Sequence, residues 1–196
     1  MTAQITKQSI RQRIISLRQQ MAEDERVRLS QAIAARIVSM DAYRTANTVL
    51  AYMNFGAEFS AKIFAWQALC DGKRVLLPKV NRSTNELDIY QVTDLLRDLA
   101  LGMWNISEPL VERCAKVDAL EEIDFILLPG VAFGRDGARL GYGGGFYDKL
   151  LSRLTHRLTL VAGAYAMQVI EGIPQEDNDR KVEWLVTENE TIHCAV

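Results

Sequence analysis

Apolar positions recur along this chain at two spacings, and the switches between them predict its elements. Ile10, Ile14, Leu17 and Met21 return every three or four residues, the spacing of one helix face. Lys7, Arg11 and Arg18 lie on the adjoining face, where long cations commonly flank a buried stripe. Leu29, Ile33 and Ile37 predict a second helix from Glu25 to Val38. The pattern then becomes a continuous apolar run, Thr48 to Met53, which reads as a buried strand, and a helix from Ala61 to Leu69 follows. Asp71-Gly72 is a turn signal. Lys73 to Pro78 reads as a short buried strand closed by its proline, and Glu86 to Val92 as another strand. Thr93 to Met103 has no clear period. Phe125 to Leu128, Leu158 to Tyr165 and Trp184 to Thr187 are further strands, and Phe146, Leu150, Leu151 and Leu154 mark a helix. From Thr48 onward strands alternate with helices, which predicts an α/β fold with a mainly parallel sheet.

Composition narrows the class. At 196 residues and 48% hydrophobic, residues 1–196 suit one domain with a substantial core. A net charge of −2 gives no general affinity for nucleic acid or an acidic membrane. No apolar run reaches the roughly 18 residues of a membrane span. The polar start, MTAQITKQSIRQR, lacks the apolar centre of a signal peptide. Cys70, Cys114 and Cys194 are odd in number and widely spaced, which fits a reducing cytoplasm better than a disulfide frame or zinc site. His156 and His193 are isolated and receive no role.

The chemistry concentrates between the strand at Phe125 and the helix at Phe146. The intervening loop carries Arg135-Asp136-Gly137 and then Gly141, Gly143, Gly144 and Gly145. Glycines allow backbone N–H groups to approach a ligand closely, and a helix start adds a favourable dipole, so such a loop suits phosphate. Arg139 can supply charge-assisted bonds, and Asp148 in the first helical turn can hold a Mg2+ that bridges phosphate oxygens. Taken singly, each feature is as well explained by a tight turn or a helix-start acid. The loop is neither a Walker A nor a standard GxGxxG dinucleotide turn.

The run PGVAFGRDGARLGYGGGFYDKLL resembles the signature of the 5-formyltetrahydrofolate cyclo-ligase family, also called methenyltetrahydrofolate synthetases. It departs at Gly134, where that family usually has Asp, which opens a question about a turn contact. The likeness continues in order through most of the chain. Lys7 and Arg11 match the family's Lys-x-x-x-Arg. Trp104-Asn105-Ile106-Ser107-Glu108-Pro109 matches W-x-I-x-x-P. Gly163, Tyr165 and Gln168 echo G-x-A-x-x-x-Q without keeping its exact spacing, and Pro174 to Glu183 matches a segment containing [HN]-D, here Asn178-Asp179.

The resemblance implies a three-layer α/β/α fold related to sugar-phosphate isomerases and CoA transferases. It implies Mg2+- and ATP-dependent cyclisation of 5-formyltetrahydrofolate to 5,10-methenyltetrahydrofolate, with release of ADP and phosphate. Lys7, Arg11 and Arg139 would then hold ATP phosphates, cradled by the backbone of Leu140, Gly141, Tyr142, Gly143, Gly144, Gly145, Phe146 and Tyr147. Arg139 and Tyr142 would be the catalytic pair, and Asp148 and Asp179 would hold Mg2+. Met53, Glu58 and Trp104 would contact the folate: Glu58 through the donor edge of the pterin, Met53 through an apolar contact, and Trp104 by stacking. The expected partners are the two small-molecule substrates alone, with a cytoplasmic monomer as the working form. Two other classes remain open: a sugar-phosphate isomerase or transferase, which would not need ATP, and a binding protein without turnover.

Overall fold

The computed structural model describes residues 6–176 and 179–195. Two helices open the chain, α1 (Lys7–Gln20) and α2 (Glu23–Ser39), followed by a short α3 (Asp41–Thr45). Thr6 caps α1 by accepting from the Ser9 N–H at 3.1 Å, and Ser9 bonds back to Thr6. The acidic first turn of α2 (Glu23, Asp24, Glu25) complements the positive end of its dipole. Then come β1 (Thr48–Leu50), α4 (Ala61–Cys70), β2 (Arg74–Asn81) and β3 (Glu86–Val92). A hairpin of β4 (Leu99–Leu101) and β5 (Ser107–Pro109) leads to the edge strand β6 (Ala115–Lys116). The second half runs β7 (Phe125–Leu127), a small hairpin of β8 (Ala132–Phe133) and β9 (Arg139–Leu140), α5 (Phe146–Ser152), β10 (Thr159–Gly163), β11 (Trp184–Val186) and β12 (Thr191–His193).

Eight strands form one sheet in the order β12-β11-β10-β7-β1-β2-β3-β6. Its five central strands, β11 to β2 in that order, are parallel, with antiparallel β12 on one side and β3 and β6 on the other. Alternate residues of each central strand serve opposite faces. Val49, Val75, Leu77, Phe125 and Leu127 pack with Ile33, Ile37, Phe64 and Ala68 of α2 and α4. Leu50, Leu76, Ile126 and Leu128 pack with Leu150 and Leu151 of α5. Both faces are covered, which explains why β1 and β7 read as unbroken apolar runs. A third cluster joins Ile10 and Ile14 of α1 to Val131, Ala132, Ala138 and Leu140 of the β8–β9 hairpin.

The mainly parallel α/β architecture follows the sequence expectation, but several boundaries move. Strand β2 does not stop at Pro78; it continues to Asn81. Pairing with β1 ends at Leu76, so the missing Pro78 N–H faces an open side of the strand. Strand β1 ends at Leu50 rather than Met53: the Ala51 N–H still reaches the Leu76 carbonyl at 2.9 Å, after which the chain leaves the sheet. Strand β10 is likewise shorter than Leu158 to Tyr165, because Ala164 and Tyr165 already turn away toward a 3-10 turn at Ala166–Gln168.

The topology decides where a site forms. From β1 the chain crosses over one face through α4 to β2, and from β7 over the other face through α5 to β10. Strands β1 and β7 are parallel neighbours, so the sheet switches direction between them. The loops leaving their carboxyl ends, 51–60 and 128–145, diverge around a crevice, the usual ligand position in open α/β sheets.

Candidate functional site

Glu58 lies in the loop after β1 and Tyr142 in the loop after β7, and the two meet across that crevice. The Tyr142 hydroxyl donates to Glu58 Oε1 at 2.6 Å, while the Phe55 N–H donates to Oε2 at 2.7 Å. Glu58 is only 6% exposed. Burial pushes its carboxyl above the ordinary range; the Tyr142 hydroxyl, the Phe55 N–H and the nearby Arg18 charge oppose that shift. Burial, and then the Glu58 charge, also push the Tyr142 phenol up, so it remains a donor to the carboxylate. Phe55 meets the Tyr142 ring edge-on at 6.3 Å, flanking the pair.

The underside of this loop is held by α2 and by the turn after β10. The Tyr165 hydroxyl donates to the Glu58 carbonyl at 3.1 Å and lies 3.1 Å from Ser30 Oγ. Ser30 Oγ accepts from the Ser60 N–H at 3.0 Å. Gln168, 2% exposed, donates to the Val131 carbonyl at 2.9 Å and accepts from the Tyr165 N–H at 2.9 Å. The G-x-A-x-x-x-Q stretch therefore supports both site loops at once.

Helix α1 secures the glycine loop. Arg11 Nε donates to the Gly141 carbonyl at 2.8 Å, and Arg18 Nη2 donates to the Tyr142 hydroxyl at 2.7 Å. Gly143 and Gly145 take φ of 102° and 67°, conformations that other residues adopt at a cost, and Gly145 begins α5 in this way. Gly143 and Gly144 are exposed, and the first-turn N–H groups of α5 have no carbonyl four residues back within the helix. Leu140, by contrast, is buried with the hairpin. Phe146 and Tyr147 are half-buried at the helix start, with Phe146 packed against the sheet face that α5 covers.

Arg139, 9% exposed, ion-pairs with Asp148 and donates to the Pro129 carbonyl at 3.4 Å; its Nε has no partner. Lys7 bridges Asp179 at 2.8 Å and Glu176 at 2.9 Å. Burial works against the Lys7 charge, but those two carboxylates outweigh it and raise its pKa. Burial likewise opposes ionisation of Asp179, but the Lys7 bond, the Glu176 N–H and the Arg139 charge hold its carboxyl below the usual range. Arg139 thus acts on both Asp148 and Asp179. No cluster of three or more potential metal-ligating side chains occurs among the described residues. The donor set is still compatible with Mg2+, which takes hard oxygens and completes its shell with phosphate and water around one or two carboxylates.

The other two expected folate contacts, Met53 and Trp104, differ in exposure. Met53 is 8% exposed and packs in the apolar layer with Tyr52 and Phe59. Trp104 is 56% exposed near the tip of the β4–β5 hairpin, with a φ of 55°, and no ring contact or hydrogen bond joins it to the Glu58–Tyr142 pair among the described residues. Asn178, which precedes Asp179 in the C-terminal motif, lies outside the described residues. Arg18 was assigned no role from sequence, yet it is 3% exposed and bonds directly to Tyr142. The signal was its register: Arg18 continues the Ile10, Ile14 stripe at four-residue steps, where an apolar residue is expected.

The departure at Gly134 also finds its reason. A Cβ at residue 134 would lie 2.3 Å from Asp136 Oδ1. Asp136 accepts from the Ala138 N–H at 3.2 Å and pairs with Lys181 at 3.3 Å. The turn acceptor is therefore supplied by Asp136, and Gly134 leaves it room.

No helix among the described residues is long and apolar enough to cross a membrane. Comparison with known proteins agrees with this architecture. The model of the 5-formyltetrahydrofolate cyclo-ligase family matches residues 3–188. A 5-formyltetrahydrofolate cyclo-ligase of Escherichia coli K12 is 30% identical over 179 residues, covering 91% of this chain and 96% of that protein. One from Mus musculus is 25% identical, with 96% of each chain covered. The solved structure of Aquifex aeolicus 5,10-methenyltetrahydrofolate synthetase superposes with a TM-score of 0.82 at 33% identity, covering 96% of this chain and 93% of that one. The chain belongs to the 5-formyltetrahydrofolate cyclo-ligase family.

Proposed function

We propose that this chain is an ATP- and Mg2+-dependent ligase that closes 5-formyltetrahydrofolate to 5,10-methenyltetrahydrofolate, working as a single-domain cytoplasmic monomer. The observation that carries the reading is the juxtaposition of two unlike half-sites across the β1–β7 crevice. One is a buried carboxylate, Glu58, suited to the donor edge of a pterin. The other is a glycine loop with Arg11 and Arg139 beside it, suited to phosphate.

The chemical difficulty is that an N-formyl group is an amide, with a poor electrophilic carbon and a poor leaving oxygen. The formyl oxygen attacks the γ-phosphorus of ATP, and the bond to ADP breaks. The N10 lone pair then attacks the activated formyl carbon. The N10 proton is lost, the C–O bond breaks, phosphate departs and the five-membered ring closes as the methenyl cation. Phosphoryl transfer asks mainly for alignment and charge stabilisation, and needs no protein nucleophile.

Each residue has a part in that scheme. Glu58 fixes the pterin, and Met53 offers it an apolar contact. Tyr142, on the same loop as the phosphate-binding glycines, couples the two half-sites and orients the formyl oxygen. Arg139 exchanges its bond to Asp148 for one to the transferring phosphate, while Lys7 and Arg11 hold the rest of the triphosphate. Asp148 and Asp179 are the carboxylates that would hold Mg2+, which offsets phosphate charge when bound. Trp104 offers an exposed ring that stacks on the flat folate.

Absorbance in the methenyl-folate band tests the scheme. Protein mixed with 5-formyltetrahydrofolate and Mg2+ should give a rise with ATP, matched by phosphate release, and none without ATP. Folate binding without any rise would overturn the reading in favour of a binding protein. Failure to bind folate would return the sugar-phosphate class.

A further inference from the structure

Arg18 is the most deeply buried guanidinium in the site and the least satisfied. Nη2 donates to Tyr142 at 2.7 Å, and the side chain lies over that tyrosine's ring, 5.9 Å from its centroid. Nε and Nη1 are buried without a partner. Buried donors are ordinarily paired, and an unpaired one on a charged group is costly. Its nearest balancing charge is Glu58, reached through Tyr142: Arg18 donates to the hydroxyl and the hydroxyl donates to the carboxylate. Nothing in the phosphate chemistry of Lys7, Arg11 and Arg139 uses this side chain.

We infer that Arg18 is a specificity-determining residue of the folate pocket: its free Nη1 takes the ring carbonyl oxygen of the pterin, while Nη2 on the same edge holds Tyr142 against Glu58. The inference rests on the proposed function and deepens it. The chemistry of the ligand supplies the match. A 2-amino-4-oxo pyrimidine ring presents, side by side, an NH2 donor, a ring N–H donor and a carbonyl acceptor. A carboxylate can accept only from the first two. The carbonyl beside them needs a donor, and a guanidinium joined to that carboxylate through one tyrosine hydroxyl offers it. Without Arg18 the pocket would hold Glu58 alone and would favour a ring carrying a third donor in place of the carbonyl.

The experiment compares equilibrium binding of 5-formyltetrahydrofolate and its 4-amino counterpart, in which the carbonyl is replaced by an NH2 group. Wild type should prefer the 4-oxo ligand. Arg18→Met should weaken 4-oxo binding by roughly 10- to 100-fold, the scale of a lost charged hydrogen bond. It should bring the two ligands close to parity, with a smaller change in the KM for ATP than in 4-oxo binding. Arg18→Lys, which keeps the charge but loses the planar donors, should retain part of the preference, and it serves if the Met variant does not fold. An undiminished preference in a folded Met variant, or equal weakening of both ligands, would overturn the assignment, as would wild-type discrimination in the Lys variant. Wild-type protein that binds neither ligand would instead overturn the folate reading beneath it.

Discussion

Glu58 sits where a carboxylate is poorly solvated, and that determines how it should respond to pH. Its folded pKa is raised by burial, and it is faced by Tyr142, Tyr52, Tyr147 and the Arg18 cation. If the ionised form binds the pterin, kcat/KM for folate should fall on the acid side at a pH above the ordinary glutamate value of about 4.3. Glu58→Gln should remove that acid limb and raise the folate KM more than the ATP KM; a larger effect on ATP would take Glu58 out of the folate site. In the proposed scheme Arg139 belongs to the other half-site. Arg139→Ala should cost about 1–3 kcal/mol in ATP use, the scale of a charge-assisted bond, and unchanged ATP kinetics would remove it from phosphate binding. Its partner Asp148 can be separated from a structural role by Asp148→Asn, for which the Mg2+ titration of activity should shift to higher concentration.

The elements around the site are tied together by side chains that never touch a substrate in this scheme. Tyr165, 1% exposed, leaves β10 to reach the Glu58 carbonyl and Ser30 of α2. Tyr165→Phe keeps the ring in the core but leaves the carbonyl unpaired, which should cost about 1–2 kcal/mol in urea unfolding. An unchanged midpoint would mean that solvent replaces the hydroxyl. At this scale the reading of α1 also changes. A cationic flank beside an apolar stripe reads as a solvated edge, yet Arg11 and Arg18 point into the glycine loop, because the β8–β9 hairpin packs on Ile10 and Ile14 and brings that loop over the helix.

For the molecule as a whole, several acids stabilise the native state by being easier to ionise there. Asp98 is the most enclosed of them: burial opposes its charge, but the Thr93 and Asp94 N–H groups overcome that at 2.7 and 2.9 Å. Asp136 and Asp179 are lowered in the same sense. A folded pKa below the unfolded one means that the unfolded chain binds more protons, so this stability is present above about pH 3.9 and is lost as pH falls through the folded values. Glu58, shifted the other way, opposes the trend by one group. The urea midpoint should be nearly level from pH 7 to 5 and drop below about pH 4; Asp98→Asn should flatten that drop, and an unaltered acid slope would argue against its part in it.

The chain's own pattern determined the element types, the parallel α/β class and the motif that marks its family. Helical spacing, unbroken apolar strands and glycine punctuation are local, and each is set by what a few neighbouring residues can bury or bond. The grouping of Arg139, Asp148 and the glycine loop was legible for the same reason: they are close in sequence. Tertiary structure decided the rest. Glu58 and Tyr142 are distant in sequence and meet only because β1 and β7 become parallel neighbours whose loops diverge over one crevice. Pro78 stays within a strand because β1 pairs no further than Leu76. Trp104, expected at the ligand from its motif, is exposed on the β4–β5 hairpin, and only the fold sets where that ring lies. Arg18 stands in register with Ile10 and Ile14, but its bond to Tyr142 arises only because the β8–β9 hairpin brings the glycine loop over that face.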